Sequence, residues 1–334
     1  MRRFLAILLA ASAWLSLYSA ESSSDAIIRV LNTRVAGSVR EFDKAVEKVA
    51  LDAKAGKPLQ QFLMVILSRE KNPPEAAKLS DDECAKYVEA SRSKIYSMAR
   101  EKNNSLAWYL IALENNNRKI LRHAANLGNV QALNAYATMR LSEALEIVES
   151  DPDAAEVAFA ESFEDFTKAA GMGDANALNS LAICHQRGYG CEKNEATAFK
   201  YFSKAAEKRH PEAVNNMGRF YREGIVVKKN LSSALKCFEI SSQMGNSWGA
   251  VNYASQLILG EGCKKDTKKA IALLESFARE GKCEVMDFLS SCYERGLGDI
   301  KSDSYLSLVW KLRAKAARGD ENAAKWLKSN KAEL

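Results

Sequence analysis

Residues 174–210 read DANALNSLAICHQRGYGCEKNEATAFKYFSKAAEKRH, two helical stretches around a glycine turn. The first stretch places Leu178, Leu181 and Ala182 at i, i+3 and i+4, the apolar stripe of a packed helix. Gly188 supplies the left-handed conformation that ends such a helix at a tight turn. Asn194 is placed to accept the orphan N–H groups of the second helix, which brings Ala198, Tyr201, Phe202 and Ala205. The grammar recurs. Gly188, Gly224, Gly260 and Gly296 stand 36 residues apart, and Ala198, Ala234 and Ala270 keep the interval, as do Asn194, Asn230 and Asp266. A fixed period in this range is the signature of a solenoid. A lone two-helix unit cannot bury its own stripe, so the units must stack.

Working outward, the stripe is matched by Val214, Met217 and Gly218, then by Ala250, Tyr253 and Ala254. The segments AANLGN at 124–129, AAGMGD at 169–174, AAEKRH at 205–210, SSQMGN at 241–246 and FAREGK at 277–282 recur at intervals of 45, 36, 36 and 36. KAARGD, ending at Asp320, follows after 38. The predicted repeat units are therefore about 129–173, 174–210, 211–246, 247–282 and 283–320. The first of them needs a nine-residue insertion, which falls in SEALEIVESDPDAAE, where the glycine turn is missing. Upstream, residues 58–128 carry degenerate helix pairs. One helix opens on Pro58, where a missing N–H costs little, and another begins near Ser80 with an acidic first turn. Residues 21–57 are predicted as an N-terminal helical cap, and 321–334 as a closing helix, with Trp326 and Leu327, and a tail.

Hydrophobic content of 47% with only five prolines excludes a disordered or collagen-like chain and favours helix. Residues 1–20, MRRFLAILLAASAWLSLYSA, have the basic start, apolar run and small-residue end of a secretory signal peptide, with cleavage expected after Ala20. The expected localisation is periplasmic or secreted. The alternatives are a retained signal anchor over Phe4–Ala20, or the endoplasmic reticulum lumen, since the C-terminal KAEL resembles a K-D-E-L address. No span is expected in the mature chain. Loss of Arg2 and Arg3 with the leader lowers the formal charge from +6 to +4, and acidic and basic residues interleave along the helices, so no nucleic-acid partner is expected. Seven cysteines is an odd number. Cys184 and Cys191, running from one helix end into the turn, form the most local candidate disulfide, worth ~2–3 kcal/mol if closed. Against it stands the ordinary use of cysteine as a small buried residue.

The units resemble the Sel-one-like repeat (SLR) family, a relative of the tetratricopeptide repeat. The resemblance is carried by L-A-I-C-H-Q-R-G-Y-G, M-G-R-F-Y-R-E-G-I-V and Y-A-S-Q-L-I-L-G-E-G within 174–282. His185 and Leu257 depart from it at the usual tyrosine, and Val226 replaces the second glycine of the turn. The regular cysteine pairs of secreted relatives are absent, so their disulfide ladder is not carried over. The resemblance implies an all-α fold, a right-handed α-solenoid of antiparallel helix pairs whose first helices line a concave surface. It also implies an adaptor role, often in exported bacterial proteins.

For chemistry the sequence offers little. No catalytic, cofactor-binding or metal-binding residue is assigned. His123, His185 and His210 fall at different repeat phases, and Cys184-His185 are neighbours about 100° apart on a helix. Two S-x-x-K matches, Ser68–Lys71 and Ser91–Lys94, lack the companion motifs of serine β-lactamases. They leave a penicillin-interacting or cell-envelope enzyme as one rival reading; a self-assembling envelope protein is another. The preferred expectation is a protein or peptide partner of unknown identity. The residue after the first stripe position is Asn134, Asn179, Asn215, Val251, then Asp287, a polar ladder flanked by Arg219 and Arg222. Asn216 and Asn252 match the family's scaffold asparagine, which implies that they hold turns rather than ligands.

Overall fold

The computed structural model describes residues 39–68, 77–101, 103–115 and 117–330. The expected signal peptide, residues 21–38 of the N-terminal cap and the KAEL tail lie outside the described residues. The described residues form helices and no strands. In chain order these are α1 (Val39–Lys54), α2 (Pro58–Ser68), α3 (Asp81–Glu101), α4 (Ser105–Asn115), α5 (Arg118–Asn126), α6 (Val130–Ile147), α7 (Pro152–Gly171), α8 (Ala175–Arg187), α9 (Glu195–Glu207), α10 (Pro211–Glu223), α11 (Leu231–Gln243), α12 (Ser247–Leu259), α13 (Thr267–Arg279), α14 (Cys283–Arg295), α15 (Ser304–Ala317) and α16 (Glu321–Ser329). They fall into two compact units, the first ending at His210 and the second beginning at Pro211. Within each unit a helix packs chiefly on its chain neighbours, and first helices also touch the first helix of the next pair: α6 with α8, α10 with α12, α12 with α14. The fold is an α-solenoid of helix pairs.

Capping fixes the helix starts. Asn194, Asn230 and Asp266 accept the N–H of Thr197, Ser233 and Lys269, each through Oδ1. Ser80 and Glu83 form a reciprocal capping box that opens α3, Ser80 N–H donating to Glu83 and Glu83 N–H to the Ser80 hydroxyl. The expected glycines end the first helices: Gly188, Gly260 and Gly296 are left-handed, with φ of 78°, 73° and 66°. The nine-residue insertion adds no loop. It is absorbed by lengthening both helices, to 18 residues in α6 and 20 in α7.

The apolar stripes meet in the interior of each unit. In the first, Ala137, Phe166, Leu181 and Cys184 bury together, with Phe163, Cys191 and Tyr201 against them. In the second, Phe238, Ala254, Leu257, Leu274, Leu289 and Trp310 belong to one cluster. Close approach is bought with small residues: a Cβ on Gly218 would stand 2.5 Å from the Phe238 ring.

The second glycine of the turn has two jobs. Gly262 has φ 76°, and a Cβ there would lie 2.6 Å from the backbone carbon of Leu231 in the preceding pair. Val226 occupies the matching position with φ 64°, a conformation that a β-branched residue adopts only under strain. Its side chain is exposed. Gly262→Ala should therefore cost about 2 kcal/mol or more, because the methyl group meets backbone. Val226→Gly should be neutral or stabilise by up to about 1 kcal/mol, against the usual loss on replacing valine by glycine. Chemical denaturation of the two variants checks this; a stabilised Gly262→Ala would refute the close approach.

Candidate functional site

The second unit holds a polar cleft of about 380 Å³ between α10 and α12. Helical spacing builds its first wall. Glu212, Asn215, Arg219 and Arg222 stand at i, i+3, i+7 and i+10 on α10, hence on one face, and all line the cleft. The facing wall comes from α12 and its cap. Asn246 closes the N-terminus by accepting the Gly249 N–H at 2.6 Å, and the next turn carries Trp248 and Asn252 into the lining. Trp248 is 55% exposed, among the large apolar side chains most open to solvent. An indole on a cleft wall offers broad apolar contact at low entropic cost.

A relay of hydrogen bonds crosses the cleft. Arg222 Nη1 donates to Asn252 Oδ1 at 3.1 Å, and Asn252 Nδ2 donates to Asn215 Oδ1 at 2.8 Å. The Arg222 guanidinium also lies 5.5 Å from the centre of the Phe238 ring, which holds it in place. Arg219 is less committed: its Nε is 3.9 Å from the Glu223 carboxylate, beyond a direct hydrogen bond.

Of the residues singled out from sequence, the structure brings Asn215, Arg219 and Arg222 together in this cleft. Asp287 stands apart on α14 in an ion pair with Arg318. Asn134 and Asn179 differ from the expectation of an open polar face. They are 1% and 4% exposed, because α6 and α8 pack on each other as well as on their own second helices; Asn215 is buried too, at 7%, although it lines the cleft. Asn252 also departs from the turn-holding role implied by resemblance, since it ties Arg222 to Asn215. Trp248 and Asn246 were not singled out from sequence. A tryptophan just inside a helix, without a counterpart in the neighbouring units, was the available signal.

The residues that suggested chemistry are held structurally. Ser91 is fully buried and its hydroxyl donates to the Tyr87 carbonyl of its own helix. The Ser68 hydroxyl donates to the Val65 carbonyl at 2.8 Å, and Lys71 lies outside the described residues. Cys184 and Cys191 are both thiols in the structure. Burial pushes the Cys184 thiol up to about 12, far from a ready nucleophile. His185 turns to Cys191 instead, with Nδ1 3.5 Å from its sulfur, and lies parallel to the Tyr201 ring at 5.6 Å. Burial lowers its pKa. No group of three or more His, Cys, Asp or Glu is arranged for a metal among the described residues. Among them, too, no helix is long and apolar enough to cross a membrane.

Two buried groups of the first unit make its stability depend on pH. Asp174 caps α8, accepting the Ala177 N–H at 2.7 Å, and burial raises its pKa to about 7. Because that value lies above the unfolded one, near 4, its contribution is complete in acid and lost as pH rises through 7. His210 meets the Asn176 amide oxygen at 2.9 Å, and burial lowers its pKa to about 4. Its contribution is complete above the unfolded value, near 6.5, and lost as pH falls toward 4. Asn129 and Asn246 make the same cap with an amide at the matching position. Asp174→Asn should thus raise Tm relative to wild type at pH 8 by about 2–4 °C, as for a change near 1 kcal/mol, and lose that advantage at pH 5. Thermal melts across that range check it; an advantage equal at both pH values would refute the titration.

Comparison with known proteins places these units. The Sel1 repeat family model matches residues 175–210, 211–246, 251–282 and 284–317. Among solved structures, c5321, described as a protective antigen of uropathogenic Escherichia coli strains with an SLR fold, is similar at 19% identity and a TM-score of 0.49. The match covers 84% of this chain and 58% of that one. A Sel1 repeat protein from Oxalobacter formigenes is similar at 26% identity and a TM-score of 0.48, over 64% of this chain and 85% of that one. Comparison with curated proteins gives no match.

Proposed function

Because residues 175–317 are a run of Sel1 repeats, we propose that the chain is an exported, non-catalytic adaptor that holds another protein through the cleft between α10 and α12. One observation carries the reading: a cleft whose polar wall is pre-ordered by the Arg222–Asn252–Asn215 relay lies beside an exposed Trp248. A large, rigid aromatic next to arginine is the composition of a protein-binding hot spot. The relay lowers the cost of binding, since side chains already fixed lose little freedom when a partner arrives. Sel1 repeats are generally scaffolds for such contacts. The reading is non-catalytic because the candidate nucleophiles Ser91 and Cys184 are buried, and the half-buried Ser68 donates its hydroxyl to the Val65 carbonyl of its own helix. Export rests on the basic and apolar leader of residues 1–20.

The test pairs capture with variants. Purified protein lacking residues 1–20 should retain a defined protein from the exported fraction, identified by mass spectrometry. Trp248→Ala with Arg219→Ala should weaken that complex by about tenfold or more with unchanged helicity, as expected for a hot-spot pair. Undiminished capture by the double variant would move the binding surface elsewhere.

A further inference from the structure

Resting on that docking reading, we infer the chemistry of the occupant: an extended peptide segment that carries an aspartate or glutamate side chain next to a bulky apolar residue. The argument begins with what the cleft wall has left to give. Asn252 accepts from Arg222 through Oδ1, which fixes the orientation of its amide, so its Nδ2 is the atom that donates to Asn215. The Asn215 Oδ1 is thereby taken, and what Asn215 offers an occupant is its Nδ2 donor pair. The relay thus converts a neutral amide into a donor facing the same space as two guanidinium groups.

Arginine carries donors only. Arg222 commits Nη1 to Asn252 and Nη2 to the Glu223 carboxylate at 3.4 Å, and lies against Phe238, so it is the more occupied of the two arginines. Arg219 sits one turn away on the same helix face, with Glu223 at 3.9 Å and therefore not in a two-pronged pair. Its planar fork is the geometry that a carboxylate satisfies with two parallel hydrogen bonds. A wall that presents donors from Asn215 and Arg219 calls for acceptors. Glu212 lies two turns from Arg219 on the same face, so the charged lining residues are two arginines and one glutamate, and a carboxylate is the acceptor that matches the remaining positive charge. Trp248, across the cleft, supplies the apolar contact for the neighbouring residue.

Protein lacking residues 1–20 is screened against a positional-scanning library of octapeptides, acetylated and amidated so that no terminal charge is present. Retained peptides should be enriched in Asp or Glu at one position beside an aromatic or branched aliphatic residue. For a retained peptide, Glu→Gln should weaken binding about tenfold, a typical value of one charge-assisted pair. Arg219→Gln should abolish that difference, and Arg219→Glu should invert it in favour of a lysine peptide. On the wild-type protein alone, salt should weaken the Glu peptide more than the Gln peptide. Equal affinity for Glu and Gln peptides overturns the inference, as does a preference that survives Arg219→Gln or binding confined to peptides with a free C-terminus. If in those cases Trp248→Ala still abolishes binding, the docking reading stands while its acidic specificity falls. Retention of no peptide at all overturns both.

Discussion

The structure depends on how closely a turn can approach the helix pair before it. At Gly190 a Cβ would stand 2.3 Å from the Phe159 carbonyl oxygen, and at Gly262 2.6 Å from the Leu231 backbone. Both glycines also have positive φ, so the position asks for a left-handed residue and for the absence of a side chain together. Smaller contacts repeat the demand inside the helices. Gly218 faces the Phe238 ring, and a Cβ on Gly249 would be 2.5 Å from the Ser241 hydroxyl. The cleft follows from this closeness. Only because α12 is drawn down onto α10 can an asparagine on one helix reach an asparagine on the other at 2.8 Å.

The same helix-start position solves one problem with different chemistry along the chain. Asn129, Asp174 and Asn246 each close a first helix by accepting a backbone N–H two or three residues on. For the amides burial costs little, since they carry no charge and one hydrogen bond answers the acceptor; Asn129 is 4% exposed, about as buried as Asp174. For Asp174, buried at the same position, desolvation opposes the charge, and the hydrogen bonds it accepts only partly offset that. His210 stands at the equivalent place before α10 and escapes the penalty by remaining neutral. The repeat conserves geometry while leaving protonation free to vary, so pH acts on individual units rather than on the whole stack.

What could be read from the sequence was local and periodic. Gly188, Asn194 and the Leu178–Leu181–Ala182 stripe each act within one unit, through backbone conformation, capping and helix spacing, and the structure places them as read. The exposure of Asn134 and Asn179 could not be read the same way. It is decided by a neighbouring first helix whose approach no residue in their own unit specifies. The cleft was legible in half: Asn215, Arg219 and Arg222 share a helical face, visible from spacing alone. Trp248 and Asn252 come from the next unit, and a period that averages over units hides a residue present in only one of them.

A polar ladder spread along a solenoid and a single built cleft make different demands on chemistry. A ladder of asparagines would bind any extended backbone weakly at each rung, with an entropic cost for every side chain it stills. On the proposed docking reading, the hydrogen bonds among the lining residues concentrate specificity in one place. Asn215 matters less as one rung of a series than as the end of a chain that starts at Arg222, which is itself held by Phe238. Packing in the core therefore sets the orientation of the last amide in the relay: Phe238 touches both the glycine that lets its neighbours close in and the arginine that orders the cleft. The cleft and the repeat interior are thus not separate layers of the design, because one buried ring supports both.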